Sequence, residues 1–382
     1  MMATGARIRL LDILRGFAVL GTLGTNIWIF AHLGDLNYVF TFAESRWWAS
    51  FQDFLRVFVL FLVNGKLLGL LTIMFGVGLE LKYRQALKRG NAWPGVYIWA
   101  SILLMAEGFI HFTLVMEYDI LMSYGVAAIV TAFILKGGDR AIRGTMRIIG
   151  GIHGAMMLLI MAALIALGAT GGHFSFGDMS EVVLLYKEGS WLQQMAFRLE
   201  NMLLLRFESV FVVPMNVFLF LLGVRMMRSG VFALDEHGRK KRGKLLRIGL
   251  WIGLPLNMLM FIPGGYFDLT IRYLFAPLMA LGYIGLIARL VESNGKLWLW
   301  RKLEQVGKMS LSCYVMQNIL CAILFYGWGF GLGGKVDSFA IVCIWLAVCG
   351  FQVVFASLWL NRFKLGPMET ARRFASGLIG KT

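Results

Sequence analysis

The stretch Arg7–Phe30, RIRLLDILRGFAVLGTLGTNIWIF, decides how the rest of the chain is read. It is apolar over a length that crosses a bilayer, since about 20 helical residues span the hydrocarbon core. Yet it carries Asp12, Arg15 and Asn26. Charged side chains inside a membrane helix cost ~2.5 kcal/mol or more, and they face a protein interior or a wet cavity. An acid and a base near one end, with an amide near the other, mark this helix as one built around a site.

The composition extends that reading to the whole chain. Of 382 residues, 59% are hydrophobic and only 15% charged, which a soluble chain of this length does not show. In lipid every backbone polar group needs a partner within its own segment, so long apolar runs become helices. The alternation of an outer-membrane barrel is absent. The fold class is an all-α polytopic membrane protein of about ten transmembrane helices. These are expected over Leu10–Ala31, Phe54–Leu81, Val96–Met116, Ile120–Leu135, Met146–Leu167, Phe207–Met227, Leu245–Ile262, Leu269–Leu290, Met309–Gly327 and Phe339–Leu360. Ile120–Leu135 is short for a span and can begin inside a cavity.

The net charge of +16 follows the membrane and does not argue for nucleic acid. With the first residues in the cytoplasm, only Arg46, Lys187, Arg198, Arg206, Arg272 and Lys335 fall on the outer side. The largest basic cluster, from Arg239 to Arg247, then lies inside. Both termini are therefore expected in the cytoplasm. The first run is too long and too charged for a cleavable signal peptide. The basic loop near residue 235 divides the chain into an N-terminal half, 1–230, and a C-terminal half, 231–382. The long outer loop from Gly168 to Arg206 reads as amphipathic helices at the interface, with Trp191 and Phe197 at headgroup level. Cys313, Cys321, Cys343 and Cys349 sit in late apolar runs without CxxC spacing and read as small core residues, so neither a disulfide framework nor a metal site is expected.

Several polar residues stand out within the spans. Asp12 and Arg15, three apart, share a helix face. An arginine there presents a planar fork to phosphate oxygens, and the alternative is a local ion pair anchoring the helix. Glu107 and His111 are four apart in AEGFIHFTLVMEYDILMSYG, so a carboxylate lies beside an imidazole on one face. A histidine oriented by an acid suits a general base, and Asp119 follows in the next turn. The competing reading is a histidine satisfied by a neighbouring carbonyl. Lys66, in LFLVNGKLLGLLTIMFGVGLE, lies too deep to snorkel and requires a polar cavity or an acidic partner, such as Glu107 or Asp119. Tyr124, Gln317 and Asn318 join Lys66 as candidate pocket lining. The last two, in GKMSLSCYVMQNILCAILFYGWGFGLGG, serve equally well as hydrogen-bonding glue between helices. Asp268 and Arg272, four apart, read as a surface ion pair.

Taken together, RLLDILRGFAVLG, GKLLGLLTIMFGVGLE, GFIHFTLVMEYDILMSYG, the late GKMSLSCYVMQNILCAILFYGWGFGL and FKLGPMETARR resemble the YeiB-like family of bacterial inner-membrane proteins. The C-terminal half of that family is a domain of unknown function. The first helix is similar to that of transmembrane acyltransferases such as heparan-alpha-glucosaminide N-acetyltransferase and the bacterial enzymes that decorate surface sugars. In the bacterial enzymes a D-x-x-R-G-like start is followed by a catalytic histidine. Here Arg15 takes the arginine position and Asn26 the histidine position. The eukaryotic enzyme also has asparagine there and draws its histidine from the following loop, where this chain has His32 at a different spacing. The family's GF-x-H…D-I-L pattern falls on His111 and Asp119. Leu67 and Leu68 replace the arginine that usually follows the lysine of the second span, and Glu107 is an addition of this chain.

The resemblance implies an inner-membrane acyltransferase with acyl-coenzyme A as co-substrate. Arg15 and Asp12 would hold the donor; His111, Glu107, Asp119 and Asn26 would do the chemistry. A sugar, lipid or small molecule at the outer side would be the acceptor, and a homodimer is compatible with this. Two other classes stay open: a transporter or flippase, for which buried Lys66 and Glu107 suit proton coupling, and a non-catalytic lipid-binding membrane protein.

Overall fold

The bilayer offers the backbone no water to bond, and each long apolar run accordingly closes its hydrogen bonds within a helix. The computed structural model describes residues 8–40, 46–172 and 174–379, excepting the side chains of 378 and 379. In chain order the helices are α1 (Arg9–Ala31), α2 (Phe51–Val63), α3 (Lys66–Lys88), α4 (Val96–Leu114), α5 (Leu121–Lys136) and α6 (Gly138–Ala169). Then come α7 (Ser180–Glu188), α8 (Trp191–Glu200), α9 (Ser209–Arg228), α10 (Glu236–Phe261) and α11 (Asp268–Ser293). The last four are α12 (Trp298–Lys308), α13 (Ser310–Phe325), α14 (Ser338–Arg362) and α15 (Pro367–Ile379).

Among the described residues eight stretches are long and apolar enough to cross a membrane, with α2 and α3 counted as one. A ninth arises if α12 and α13, bent by 86° at their junction, form one span. The expected tenth, α5, has 16 residues and falls below that length. Its start explains why. Chain 115–120 folds back into the bundle, and α5 begins beside Gly108 in the body of α4, where a Cβ would lie 2.5 Å from Met122 N.

The opening helix lies in the core. Of its apolar window 78% is buried, as is 83% of that of α2 and α3, against 17% for α6 and 22% for α14, which leave most of their surface free to meet lipid. Small residues allow the close approach that membrane helices need in place of a hydrophobic driving force. A Cβ on Gly16 would sit 2.0 Å from Leu303 O, and one on Gly307 only 1.8 Å from Asp12 O, so α1 and α12 touch backbone to backbone. Gly76 and Gly223 do the same for α3 and α9.

The end of the bundle where α1 begins, here the near end, is laced with ion pairs. Glu80, 2% exposed, takes Arg84 at 2.8 Å and Arg228 at 2.9 Å; Glu304 takes Arg9 at 3.0 Å and Lys308 at 2.6 Å.

Four expectations are corrected in whole or in part. The second span holds as one stretch, but its helix is interrupted: Asn64 ends α2, and Gly65, with φ of +73°, leads the chain into α3. Only glycine accepts that conformation cheaply, and a Cβ there would lie 2.6 Å from Arg272 O. Lys66 is thus the first residue of a helix and not the middle of one. The loop between Gly168 and Arg206 carries the expected helices, with Trp191, Leu192 and Leu199 exposed, but it also packs against protein. Its α7 and α8 fold into the bundle, burying Tyr186, Gln194 and Arg198, because Glu117 offers Arg198 a partner at 3.4 Å. Asp268 and Arg272 are not a surface pair, since Asp268 is buried and Arg272 turns inward to Glu208, 3.4 Å away. Finally, Cys343 is exposed on the outside of α14, whereas Cys313 and Cys321 are core residues.

Candidate functional site

Two cavities meet inside the bundle. The larger, about 1330 Å³, opens at the near end and is walled by α1, α3, α4, α5, α13 and α15. On α3 the lining residues Leu71, Met74, Phe75, Leu79 and Lys82 recur every three or four positions, which is one helix face. That face is apolar at depth and basic toward the opening. The smaller cavity, about 50 Å³, lies farther in and mixes apolar wall such as Ile29 and Leu68 with polar residues, among them Thr22, Asn26, Asp119, Arg206 and Glu208. Tyr314 and Ile120 line both, so they form the partition.

At that partition stands an acid–imidazole pair. His111 Nδ1 lies 3.1 Å from Asp119 Oδ1, with both side chains almost fully buried. The contact is close but off the N–H direction, so Nδ1 makes no aligned hydrogen bond. Asn318 Nδ2 is 3.2 Å from His111 Nε2. An amide nitrogen can only donate, so Nε2 accepts and the ring proton is left on Nδ1, facing the carboxylate. Asn318 Oδ1 in turn accepts from Asn26 Nδ2 at 3.5 Å. A chain of polar contacts thus runs from Asp119 through His111 and Asn318 to Asn26, joining α1, α4 and α13.

Asp119 is held from several sides. Its Oδ2 accepts from Met122 N at 3.1 Å, Tyr314 OH reaches Oδ1 at 3.4 Å, and Arg206 donates to its backbone carbonyl at 2.7 Å. Asp119 is among the residues that line the small cavity, with its side chain fully buried, whereas His111 lines neither space.

The folded-in outer hairpin fixes the turn that carries Asp119. Arg198 donates to Thr113 O at 2.9 Å and to Tyr186 OH at 3.1 Å, while Tyr186 OH donates to Glu117 at 2.7 Å. Burial alone would lower the Arg198 pKa, but Tyr186 and Glu117 beside it raise it above the ordinary value, so the guanidinium stays charged.

The other expected site residues divide. Arg15 lines the large cavity, with Asp12 at 3.4 Å as its helix-face partner, so that pairing holds. Tyr124 lines the same cavity and shares a 2.7 Å hydrogen bond with Thr72. Asn26 lines the small cavity. Glu107 does not orient His111. It is taken by Arg372 of α15, two of whose nitrogens bond its carboxylate, with contacts of 3.0 and 3.1 Å from Nε. The amphipathic last helix outcompetes the imidazole because a guanidinium gives the carboxylate a two-pronged, charge-assisted partner.

Lys66 meets neither Glu107 nor Asp119. It is fully buried without a hydrogen bond, 5.6 Å from the Phe61 ring, and the charges that act on it are Asp268 and Arg272. Gln317 lines neither cavity and accepts from Gln352 at 3.1 Å, which is helix glue. Asn318 is likewise sealed from both, in the relay. His32 stacks on Tyr38 with centroids 3.6 Å apart, outside both cavities. Burial, with Arg56 nearby, lowers its pKa to about 3.

Sequence reading missed Tyr314 as the partition, Glu369 and Arg372 as walls, and Arg206 and Arg198 as braces. Glu369 and Arg372 are three apart and share a face, a visible signal; their targets, Ser312 and Glu107, were not.

Residues 226–377 match a family described as "Protein of unknown function (DUF418)". The chain is 28% identical to "Uncharacterized protein YxaH" of Bacillus subtilis (strain 168), across 98% of this chain and 95% of that protein. It is also 28% identical to "Uncharacterized protein YeiB" of Escherichia coli (strain K12), across 94% and 93%. An uncharacterized 39.9 kDa protein of Bacillus acidopullulyticus is 25% identical across 96% and 93%. With a multi-pass helical fold and bacterial relatives matched almost end to end, the chain carries a DUF418 match over residues 226–377 and is homologous over its whole length to YxaH and YeiB.

Proposed function

We propose that the protein is an acyltransferase of the bacterial inner membrane, crossing it ten times with α5 as the short span and both chain ends in the cytoplasm. The near end of the bundle is then cytoplasmic, in keeping with the bias of Lys and Arg. An acyl-coenzyme A enters the large cavity past Arg15. A sugar, lipid or small-molecule acceptor presents a hydroxyl or amine to the small cavity from the outer side. The observation that carries this reading is the Asp119–His111 pair standing at the partition between a wide cavity and a small one.

Asp119 takes the role of base, because of the pair it is the residue that belongs to the lining of the small cavity. It accepts the acceptor's proton as the oxygen or nitrogen attacks the thioester carbonyl carbon. The C–S bond then breaks, and the sulfur leaves as a thiolate that takes a proton from water, while Asp119 returns its own proton to water. His111, with Nδ1–H toward Asp119, stabilises the carboxylate and orients it. The second amide hydrogen of Asn26 suits the developing oxyanion. Glu107, engaged by Arg372, shapes the donor cavity and takes no part in the proton transfer.

The test is thiol release from acetyl- and palmitoyl-coenzyme A by the purified protein in liposomes of bacterial lipid. Wild type is expected to release thiol, and Asp119→Asn to lower the rate by about 10²–10⁴-fold while coenzyme A binding is kept. Equal turnover in the variant, or no thiol release by wild type, contradicts the proposal. Two cavities separated by one tyrosine also suit alternating access. In that second reading solute crosses the vesicle membrane and no thiol appears.

A further inference from the structure

The opening of the large cavity carries more cationic groups than its own fold uses. Among its lining residues Arg15 is paired with Asp12, Lys308 with Glu304 and Arg372 with Glu107. Lys82, Arg89 and Arg373 also line it, and among the described residues none of these three has an ion-pair partner. They come from two elements, the end of α3 and the last helix, α15. The one carboxylate in the lining, Glu369, is already spent on α13, accepting from Leu311 N at 2.9 Å and from the Ser312 hydroxyl at 2.5 Å. Unpaired charges of one sign around a concave, low-dielectric space focus an attractive field for a counter-charged ligand.

The same rim holds aromatic rings. Trp93 and Tyr97, with centroids 5.0 Å apart, are part of the wall, and Trp93 is fixed by a 2.9 Å hydrogen bond from its indole nitrogen to Ala132 O. Basic groups beside an aromatic platform are the chemistry that holds a nucleotide: the cations take phosphates, and the rings take a base face. Deeper in, the wall becomes apolar and offers few polar partners. From Lys82 to Leu71 the lining face of α3 runs about 16 Å, down to the level of Tyr124 and Tyr314.

We propose that the rim formed by Lys82, Arg89 and Arg373, with Trp93 and Tyr97, is a binding site for an adenine nucleotide carrying more than one phosphate. Held there, the nucleotide end of a coenzyme A thioester leaves its arm to run inward along α3, with the thioester carbonyl toward Tyr314. The inference rests on the acyltransfer reading for its purpose, but the site stands by itself as a nucleotide site. It also gives the C-terminal helix a function, since Arg373 reaches the rim only because Arg372 and Glu369 anchor α15 on α4 and α13.

Equilibrium binding of 3′-phospho-ADP to the purified protein in detergent tests it, with wild type compared with Lys82→Ala, Arg89→Ala and Arg373→Ala. Each variant is expected to bind on the order of tenfold more weakly, the triple variant beyond detection, and wild-type affinity to fall as salt is raised. The three side chains are surface-exposed at the rim, so elution as a monodisperse peak is the check that folding is kept. A further arm adds phosphatidylglycerol vesicles as competitor. If 3′-phospho-ADP does not bind and phosphatidylglycerol does, the cations serve a lipid headgroup and the proposal is overturned. If the nucleotide binds equally to wild type and to the triple variant, its site lies elsewhere and the proposal is again overturned. If it binds as expected but thiol release is absent, the nucleotide site stands and the acyltransfer reading falls; thiol release unaffected by the triple variant gives the reverse.

Discussion

At the scale of single residues, Tyr314 carries the tightest constraint. Its ring separates two spaces, and its hydroxyl makes long contacts of 3.4 Å to Asp119 and 3.5 Å to Ile120 N, besides an interaction with Asn318. Truncation should join the cavities, whereas loss of the hydroxyl alone should not. In proteoliposomes containing a pH-sensitive dye, Tyr314→Ala is expected to raise proton leak several-fold and Tyr314→Phe to stay near wild type. An equally sealed Tyr314→Ala would show that other groups close the path. His32 gives a different residue-level expectation. Burial, with Arg56 nearby, lowers its folded pKa to about 3, below the unfolded value near 6.5. The unfolded chain therefore binds the proton more readily between those values. The stability that neutral His32 supports is complete above about pH 6.5 and is lost as pH falls toward 3, by at most ~1.4 kcal/mol per pH unit. Thermal unfolding in detergent at pH 7.5 and pH 5 should show that loss, and His32→Phe should reduce it; an unchanged difference would assign the acid sensitivity to other groups.

At the scale of elements, the contact of α4 with α5 governs the site. A Cβ on Gly108 would meet Met122 N at 2.5 Å and Asp119 Oδ2 at 2.8 Å. Gly108→Val should therefore push Asp119 off His111, lowering thiol release at least as much as Asp119→Asn, with overpacking costing about 1–3 kcal/mol. Wild-type turnover in that variant would mean that the α4–α5 contact relaxes freely. This element also shows what was legible beforehand. The i, i+4 spacing of Glu107 and His111 is real, and both do sit on α4, but shared spacing only makes a contact available. Which partner a carboxylate takes depends on what else reaches it, and Arg372 comes from 265 positions away. Asp119 was identifiable as a chemical candidate; its place beside His111 followed from chain 115–120 turning back inward, which no local pattern encodes.

At the scale of the molecule, apolar run length disclosed the class of fold, and Asp12, Arg15 and Asn26 disclosed that the first helix lies in the core. The breaks were less visible. Gly65 between α2 and α3 sits within apolar sequence, and the 86° corner between α12 and α13 falls where a charged helix gives way to an apolar one. The tertiary contacts that make them necessary, such as Arg272 O against Gly65, are remote in the chain. The packing of α7 and α8 on protein was hidden for the same reason: an amphipathic pattern does not say that its polar side, here Gln194 and Arg198, meets protein while Leu192 and Leu199 stay exposed. What results is one passage in two parts, basic and wide at one end, small and partly polar at the other, with Asp119 and His111 at the joint. Electron cryo-microscopy of the protein in lipid nanodiscs with S-ethyl-coenzyme A, a thioether that cannot transfer, tests that passage directly. The expected map shows nucleotide density among Lys82, Arg89 and Arg373 and the thioether sulfur beside Tyr314, across the ring from Asp119. A map at saturating ligand in which hydrocarbon chains fill the large cavity, with no nucleotide density at its rim, would contradict it.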